Sequence, residues 1–187
     1  PAECLYQVEA REEIGELLGC DESVDLLIPR GSNAFVRYIM DHTRIPVMGH
    51  ADGICHIYVD GAADLEKAVR IVVDAKVQYT AACNAVETIL VQRDAAKRLL
   101  PDMVAGLEAE GVEVRGTDEV RAIVECKPAT DEDWDTEYLA LIVSIKLVDG
   151  VDEAIEHINK HGSHHTDPIV TEDAATAERF LQLVDSA

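Results

Sequence analysis

The chain reads as an α/β protein with a largely parallel sheet. Short apolar runs alternate along its whole length with amphipathic stretches of helical period. Two of the junctions, in YVDGAADLEKAVRIV and LVDGVDEAIEHIN, share a plan: strand, Val-Asp-Gly turn, acidic start, amphipathic helix. We read that echo as reuse of one strand-to-helix turn, not as a duplication. Hydrophobic residues make up 48% against 28% charged, so 187 residues can bury a core as one domain or two lobes.

The elements follow in order. Residues 24–30 (VDLLIPR) read as a buried strand stopped by Pro29. Gly31-Ser32-Asn33 then turns into a helix to about residue 42, with Ser32 or Asn33 as its cap. IPVMG (45–49) and CHIYVD (55–60) are strands on either side of His50-Ala51-Asp52-Gly53. Residues 63–77 place Leu65, Ala68, Val69 and Val72 at helical spacing, with Asp64 at the start. ETILV (87–91) is a strand, and 95–110 a helix that Pro101 should kink or split. VEVRG (112–116) is a strand and 117–125 a short helix. After the polar TDEDWD stretch comes a strand over 138–149, then a helix over 151–162 ended by Gly162, a strand at 168–171 and a last helix over 173–184.

Composition removes several functions. Sixteen Lys and Arg against 37 Asp and Glu give a formal charge of -21, a field that repels phosphate backbones and anionic lipid. Aromatics are 4%, too few to stack single-stranded bases. There is no apolar run of membrane-spanning length, and the residues from Pro1 do not follow the charged-then-apolar pattern expected of a signal peptide. The five cysteines, Cys4, Cys20, Cys55, Cys83 and Cys126, are odd in number and form no C-x-x-C pair, which favours free thiols in a reducing cytoplasm over a disulfide framework.

Three clusters carry candidate chemistry, each with a plainer alternative. Cys83 lies in Tyr79-Thr80-Ala81-Ala82-Cys83-Asn84-Ala85, where small neighbours leave its sulfur approachable as a nucleophile. Its alternative is an inert packed cysteine. His50, Asp52, Cys55 and His56 crowd one turn and read as a polar pocket wall; zinc is disfavoured, because Cys55 and His56 point to opposite faces of a strand. His161-Gly162-Ser163-His164-His165-Thr166-Asp167 is an active-site loop or a solvated connection. A Cys83–histidine hydrolase dyad can be drawn from these residues without any geometry to support it. Gly31 and Ser32, before a helix, offer backbone N–H groups to an anion.

Taken together, IPRGSNAFVRYI, IPVMGHADGICHIYVD, DAKVQYTAACNAVETILV, DTEYLALIVSIKLVD and EAIEHINKHGSHHTDPIVTED resemble the gamma-glutamyl phosphate reductases, also called glutamate-5-semialdehyde dehydrogenases, of the aldehyde dehydrogenase superfamily. The resemblance runs in order over nearly the whole chain. It implies an aldehyde-dehydrogenase-like α/β fold: the end of a Rossmann-like nucleotide-binding lobe over 1–79, then a parallel-sheet catalytic lobe, incomplete at its C-terminal end, over 80–187. It implies that Cys83 attacks gamma-glutamyl phosphate to form a thioester, which NADPH reduces on the way to proline. By the same resemblance Glu137 holds the ribose hydroxyls of NADP, Gly31 and Ser32 lie at its pyrophosphate, and His50, Asn84 and His164 line the substrate pocket.

Where oxidising relatives carry Glu-Leu-Gly-Gly, this sequence has His50-Ala51-Asp52-Gly53, so the glutamate that activates hydrolytic water is missing. The resemblance also implies a cytoplasmic enzyme with no metal and no nucleic-acid or membrane partner. It implies a homo-oligomer at full length, with a glutamate kinase as partner or fusion. Read as a fragment, the chain alone should be inactive. The competing class is a non-catalytic fragment or regulatory module that keeps the fold.

Overall fold

A computed structural model describes residues 11–49 and 52–186, which fall into two units, one ending at Asp52 and the other beginning at Gly53. In the first unit, helices α1 (Arg11–Leu17) and α2 (Asn33–Asp41) accompany one parallel bridge between Leu27 and Val47. The strands expected over 24–30 and 45–49 reduce to that bridge. Pro29 and Pro46 cannot donate to a ladder, and Leu26, Ile28 and Met48 are exposed rather than buried. The core of this unit is Leu18, Val36, Ile39 and Ile45. Ser32 caps α2 as expected, its Oγ accepting from the Phe35 N–H at 3.4 Å.

The second unit is a six-stranded sheet whose paired strands are all parallel, in the order β4-β3-β5-β2-β1-β6. The strands are β1 (Cys55–Val59), β2 (Val86–Gln92), β3 (Glu113–Gly116), β4 (Lys127–Pro128), β5 (Ile142–Val148) and β6 (Ile169–Val170). Helices α3 (Leu65–Val77), α4 (Ala96–Ala109) and the short α5 (Asp118–Arg121) pack on one face, burying Val72, Leu99, Leu100, Met103 and Val120 against Ile57, Ile89 and Ile145. Helices α6 (Val151–His161) and α7 (Ala174–Leu183) cover the other, with Ile158 and Phe180 on Tyr58 and Leu90. Covered on both faces, β1 and β2 read as near-continuous apolar runs.

Local chemistry accounts for most boundaries. Asp64 caps α3 through the Lys67 N–H at 2.9 Å, and Asp173 caps α7 through Ala175 and Thr176. The Gly162 N–H closes α6 on the Ile158 carbonyl at 2.7 Å. α4 runs unsplit through Pro101, at the cost of the one N–H that proline lacks. The edge strand β4, with no apolar alternation and a proline, escaped sequence reading. So did the turn Asp131–Asp135, where a capping box between Thr130 and Asp133 buries Trp134. β5 begins at Ile142, not 138, because Leu139 takes φ +52° and stands exposed. The lobe boundary expected near residue 80 falls inside this unit: β1 and α3 belong to the same sheet and core as the segments after them.

Candidate active site

Four loops that lead into parallel strands meet at one edge of the second unit: Gly53-Ile54 before β1, residues 78–85 before β2, 136–141 before β5 and 162–168 before β6. This is the amino edge of the sheet, whereas ligands of open α/β sheets usually bind beyond the carboxyl ends. The 161–167 loop, read as an active-site loop or a solvated connection, therefore lies at the opposite edge from the usual one.

Cys83 is exposed on the second of these loops. The loop turns tightly, with the Ala82 N–H on the Tyr79 carbonyl at 3.1 Å and the Ala85 N–H on the Ala82 carbonyl at 3.0 Å. Its small side chains keep solvent within reach of the sulfur. Gly53 stands directly against it. A Cβ on Gly53 would lie 2.2 Å from the Cys83 carbonyl oxygen, 2.8 Å from the Cys83 Cα and 2.8 Å from Glu137 Oε1. Only a residue without a side chain lets these backbones and this carboxylate come together. The Gly53 N–H also donates to Glu137 Oε1 at 3.0 Å. Cys83 and Glu137, far apart in sequence, are thus neighbours across Gly53.

A second thiol lies beneath. Cys55 Sγ donates to the Cys83 carbonyl at 3.2 Å and is buried. Burial pushes its pKa up to about 12, assisted by Asp167 and Glu87 and opposed by a hydrogen bond from the Thr166 backbone. Cys55 therefore stays protonated near neutrality, and only the thiolate is a strong nucleophile. Beside the loop is a cavity of ≈ 230 Å³ lined by Cys55, Gln78, Tyr79, Ala82, Asn84 and Thr166, among others.

The histidine-rich loop clasps β1. The Ile54 N–H donates to Ser163 Oγ at 2.9 Å, and Asp167 Oδ1 takes the His56 N–H at 2.7 Å and lies 3.0 Å from His56 Nδ1, both side chains sealed from solvent. His164, expected at the pocket, instead points its Nδ1 at the Asp185 carbonyl, 2.7 Å away, while more than half exposed. Its backbone is in the left-handed region, at φ +59°, and Thr166 and Pro168, not His164, line the cavity. His56, His157, His161 and His164 are engaged by Asp167, Lys146, Asp135 and Asp185, not by Cys83. Nothing in that set builds a hydrolase dyad. Among the described residues no three His, Cys, Asp or Glu side chains are grouped to hold a metal, and no helix is long and apolar enough to cross a membrane.

In the first unit, Gly31 has φ +151° and Ser32 opens α2, its hydroxyl engaged as the cap. His50 lies outside the described residues. Asp52, from the same block, is bound by Asn33 Nδ2 at 3.0 Å and by Arg37. Sequence reasoning passed over the roles of Gly53 and Cys55. It also missed a buried ion pair behind the loop, Lys76 with Glu87, which a charge inside each of two apolar segments could have signalled.

Residues 1–122 match the profile of the aldehyde dehydrogenase family, and the chain belongs to that family. It is 59% identical over 179 residues to gamma-glutamyl phosphate reductase of Ruminiclostridium cellulolyticum, a match covering 96% of this chain and 41% of that protein. The crystal structure of gamma-glutamyl phosphate reductase from Thermotoga maritima superposes with a TM-score of 0.92 at 43% identity, over 95% of this chain and 43% of that one. Betaine aldehyde dehydrogenase of Staphylococcus aureus, crystallised with NAD+, shares the fold alone at 15% identity and a TM-score of 0.68, over 96% and 46% of the two chains. The chain thus spans about two fifths of the length of the curated relatives it matches.

Proposed function

We propose that this chain carries the nucleophile of a gamma-glutamyl phosphate reductase, making glutamate 5-semialdehyde for proline biosynthesis with NADPH. The observation that carries the reading is Cys83, solvent-exposed on a loop of small residues and held beside Glu137 by Gly53, in a chain 59% identical to a protein of that name. Cys83 as thiolate attacks the acyl carbon: the S–C bond forms, the C–O bond to phosphorus breaks, and inorganic phosphate leaves with its electron pair. An acyl phosphate is an activated electrophile and a thioester accepts hydride more readily than a carboxylate, so one covalent step divides a hard reduction into two easier ones.

The residues fit a nicotinamide cofactor. Glu137 presents a carboxylate whose Oε1 is fixed by the Gly53 N–H, an acceptor suited to ribose hydroxyls. For the first unit the family resemblance assigns Gly31 and the N-cap Ser32 of α2 to a pyrophosphate, through backbone N–H groups. The cofactor, when bound, supplies the hydride that reduces the thioester. Collapse of the resulting thiohemiacetal breaks the C–S bond and returns the Cys83 thiolate. The resemblance assigns Asn84, next to Cys83, to the substrate pocket, and His50 takes the place of a water-activating glutamate, which protects the thioester from hydrolysis.

The reading places the lobe boundary at Asp52/Gly53, with Cys83 in the catalytic lobe. It carries with it a cytoplasmic, self-associating enzyme supplied with acyl phosphate by a glutamate kinase. The test is phosphate-dependent reduction of NADP by glutamate 5-semialdehyde, the reaction run in reverse, in the natural polypeptide that bears these residues. Turnover in the wild type and none in Cys83→Ser is expected. Turnover retained by Cys83→Ser rules the reading out.

A further inference from the structure

Immediately behind the Cys83 loop lies a charge pair that the reaction itself does not use. Lys76, in the last turn of α3, and Glu87, second residue of β2, are respectively 0% and 1% exposed. Lys76 Nζ donates to Glu87 Oε2 at 2.6 Å and to the Val86 carbonyl at 2.9 Å. The Lys76 ammonium also lies over the ring of Tyr138, the residue after Glu137, 5.8 Å from its centroid. One buried pair thereby ties three segments: the end of α3, the start of β2, and the strand-entry loop that bears Glu137. The first two are the two ends of the loop over residues 78–85, on which Cys83 sits.

We propose that Lys76 and Glu87 are positioning residues: they clamp the base of the Cys83 loop and fix its distance to Glu137. The inference deepens the reductase reading and rests on it. A buried ion pair is a poor device for stability, because desolvation of two charges consumes most of their attraction, and apolar replacements of similar volume often serve as well or better. Burial pushes Glu87 up, to about 7, and pulls Lys76 down, while their mutual attraction opposes both shifts. Packing alone therefore gives no reason for charge here. What an apolar pair cannot supply is direction. Lys76 reaches a carbonyl of β2 and the ring of Tyr138 in the Glu137 loop, so the pair sets how two loops face each other. A second observation agrees. Gly53 touches both Cys83 and Glu137 at distances that leave no slack, so a site of this tightness needs its two sides held.

The experiment is the double variant Lys76→Met/Glu87→Leu, which removes both charges and keeps the volume. Three readouts are taken: thermal midpoint, hydrogen exchange at the amides of Gly53, Ala82 and Ala85, and steady-state kinetics of the natural polypeptide. The proposal expects a midpoint within a few degrees of wild type, exchange at those amides at least tenfold faster with β5 unchanged, and kcat at least tenfold lower with KM within twofold. Wild-type exchange and wild-type kcat in a folded double variant overturn it.

Should the double variant fail to fold, Glu87→Asp keeps the charge and shortens its reach. At least threefold faster Gly53 exchange and a matching fall in kcat support the clamp, and wild-type values refute it. If the wild type shows no NADP-dependent turnover, the reductase reading fails. The exchange data still decide whether the pair holds the loop.

Discussion

Gly53→Ala is the sharpest perturbation available, because the structure says how far things must move. The added methyl would sit 2.2 Å from the Cys83 carbonyl oxygen. Ordinary carbon–oxygen contact is about 1 Å longer, and the obstacle is backbone, not the flexible end of a side chain. The loop bearing Cys83 must therefore retreat by roughly 1 Å, while Glu137 Oε1, at 2.8 Å, is pushed the other way. A misplacement of that size costs on the order of a hundredfold in a reaction that depends on near-attack geometry, or about 2.7 kcal/mol of barrier. Overpacking adds a stability loss of about 1–3 kcal/mol, small enough to leave a folded protein for assay. The assay is single-turnover acylation of the thiol with gamma-glutamyl phosphate, followed beside steady-state reduction. Acylation slowed by about two orders of magnitude, with the fold intact by circular dichroism, is expected. Wild-type acylation in a folded Gly53→Ala protein refutes the claim that Gly53 sets the spacing.

Two further outcomes follow from burial. Cys55 is buried with its pKa pushed up to about 12, whereas Cys83 is exposed. Limited iodoacetamide at neutral pH should label Cys83 well before Cys55, read by peptide mass spectrometry; equal labelling of both contradicts the assignment. Burial, with His56 and Lys146 nearby, pushes His157 down to about 2. Its neutral form is held in the folded state while the unfolded chain protonates near 6.5, so this contribution is complete above 6.5 and is lost as pH falls toward 2. In His157→Phe, stability should fall less steeply between pH 6.5 and 4.5, by about 1.4 kcal/mol per pH unit, in denaturant titrations. An unchanged slope shows that His157 titrates normally.

The parallel core was legible in the sequence because β1, β2 and β5 are apolar runs long enough to be unambiguous, each followed by a helix of clear period. Failures fell where local signal is weak or the cause is distant. Leu26 and Ile28 look buried in a window of seven residues, yet Pro29 in it and Pro46 in the segment opposite deny it a ladder. Lys127-Pro128 becomes a strand only because β3 runs beside it. At the site, the small neighbours of Cys83 were equally those of an inert packed cysteine, and the family resemblance alone singled it out as the nucleophile. That Gly53 brings Cys83 beside Glu137 could not be read from spacing, since these loops meet only when β1, β2 and β5 lie side by side. His164 illustrates the reverse: a histidine in a polar loop invites a pocket role, and its ring lies against the Asp185 carbonyl, a partner 21 residues away that local sequence does not reveal.

The central claim is that the Cys83 sulfur holds the acyl group. Rapid acid quench of the natural polypeptide with gamma-glutamyl phosphate and no nicotinamide should trap the acyl enzyme, and proteolysis with mass spectrometry would locate it. A gamma-glutamyl adduct on the peptide containing Cys83, absent from Cys83→Ser, is the predicted result. An adduct on Cys55 or Cys126, or acyl phosphate consumed with no adduct on any thiol, would contradict it.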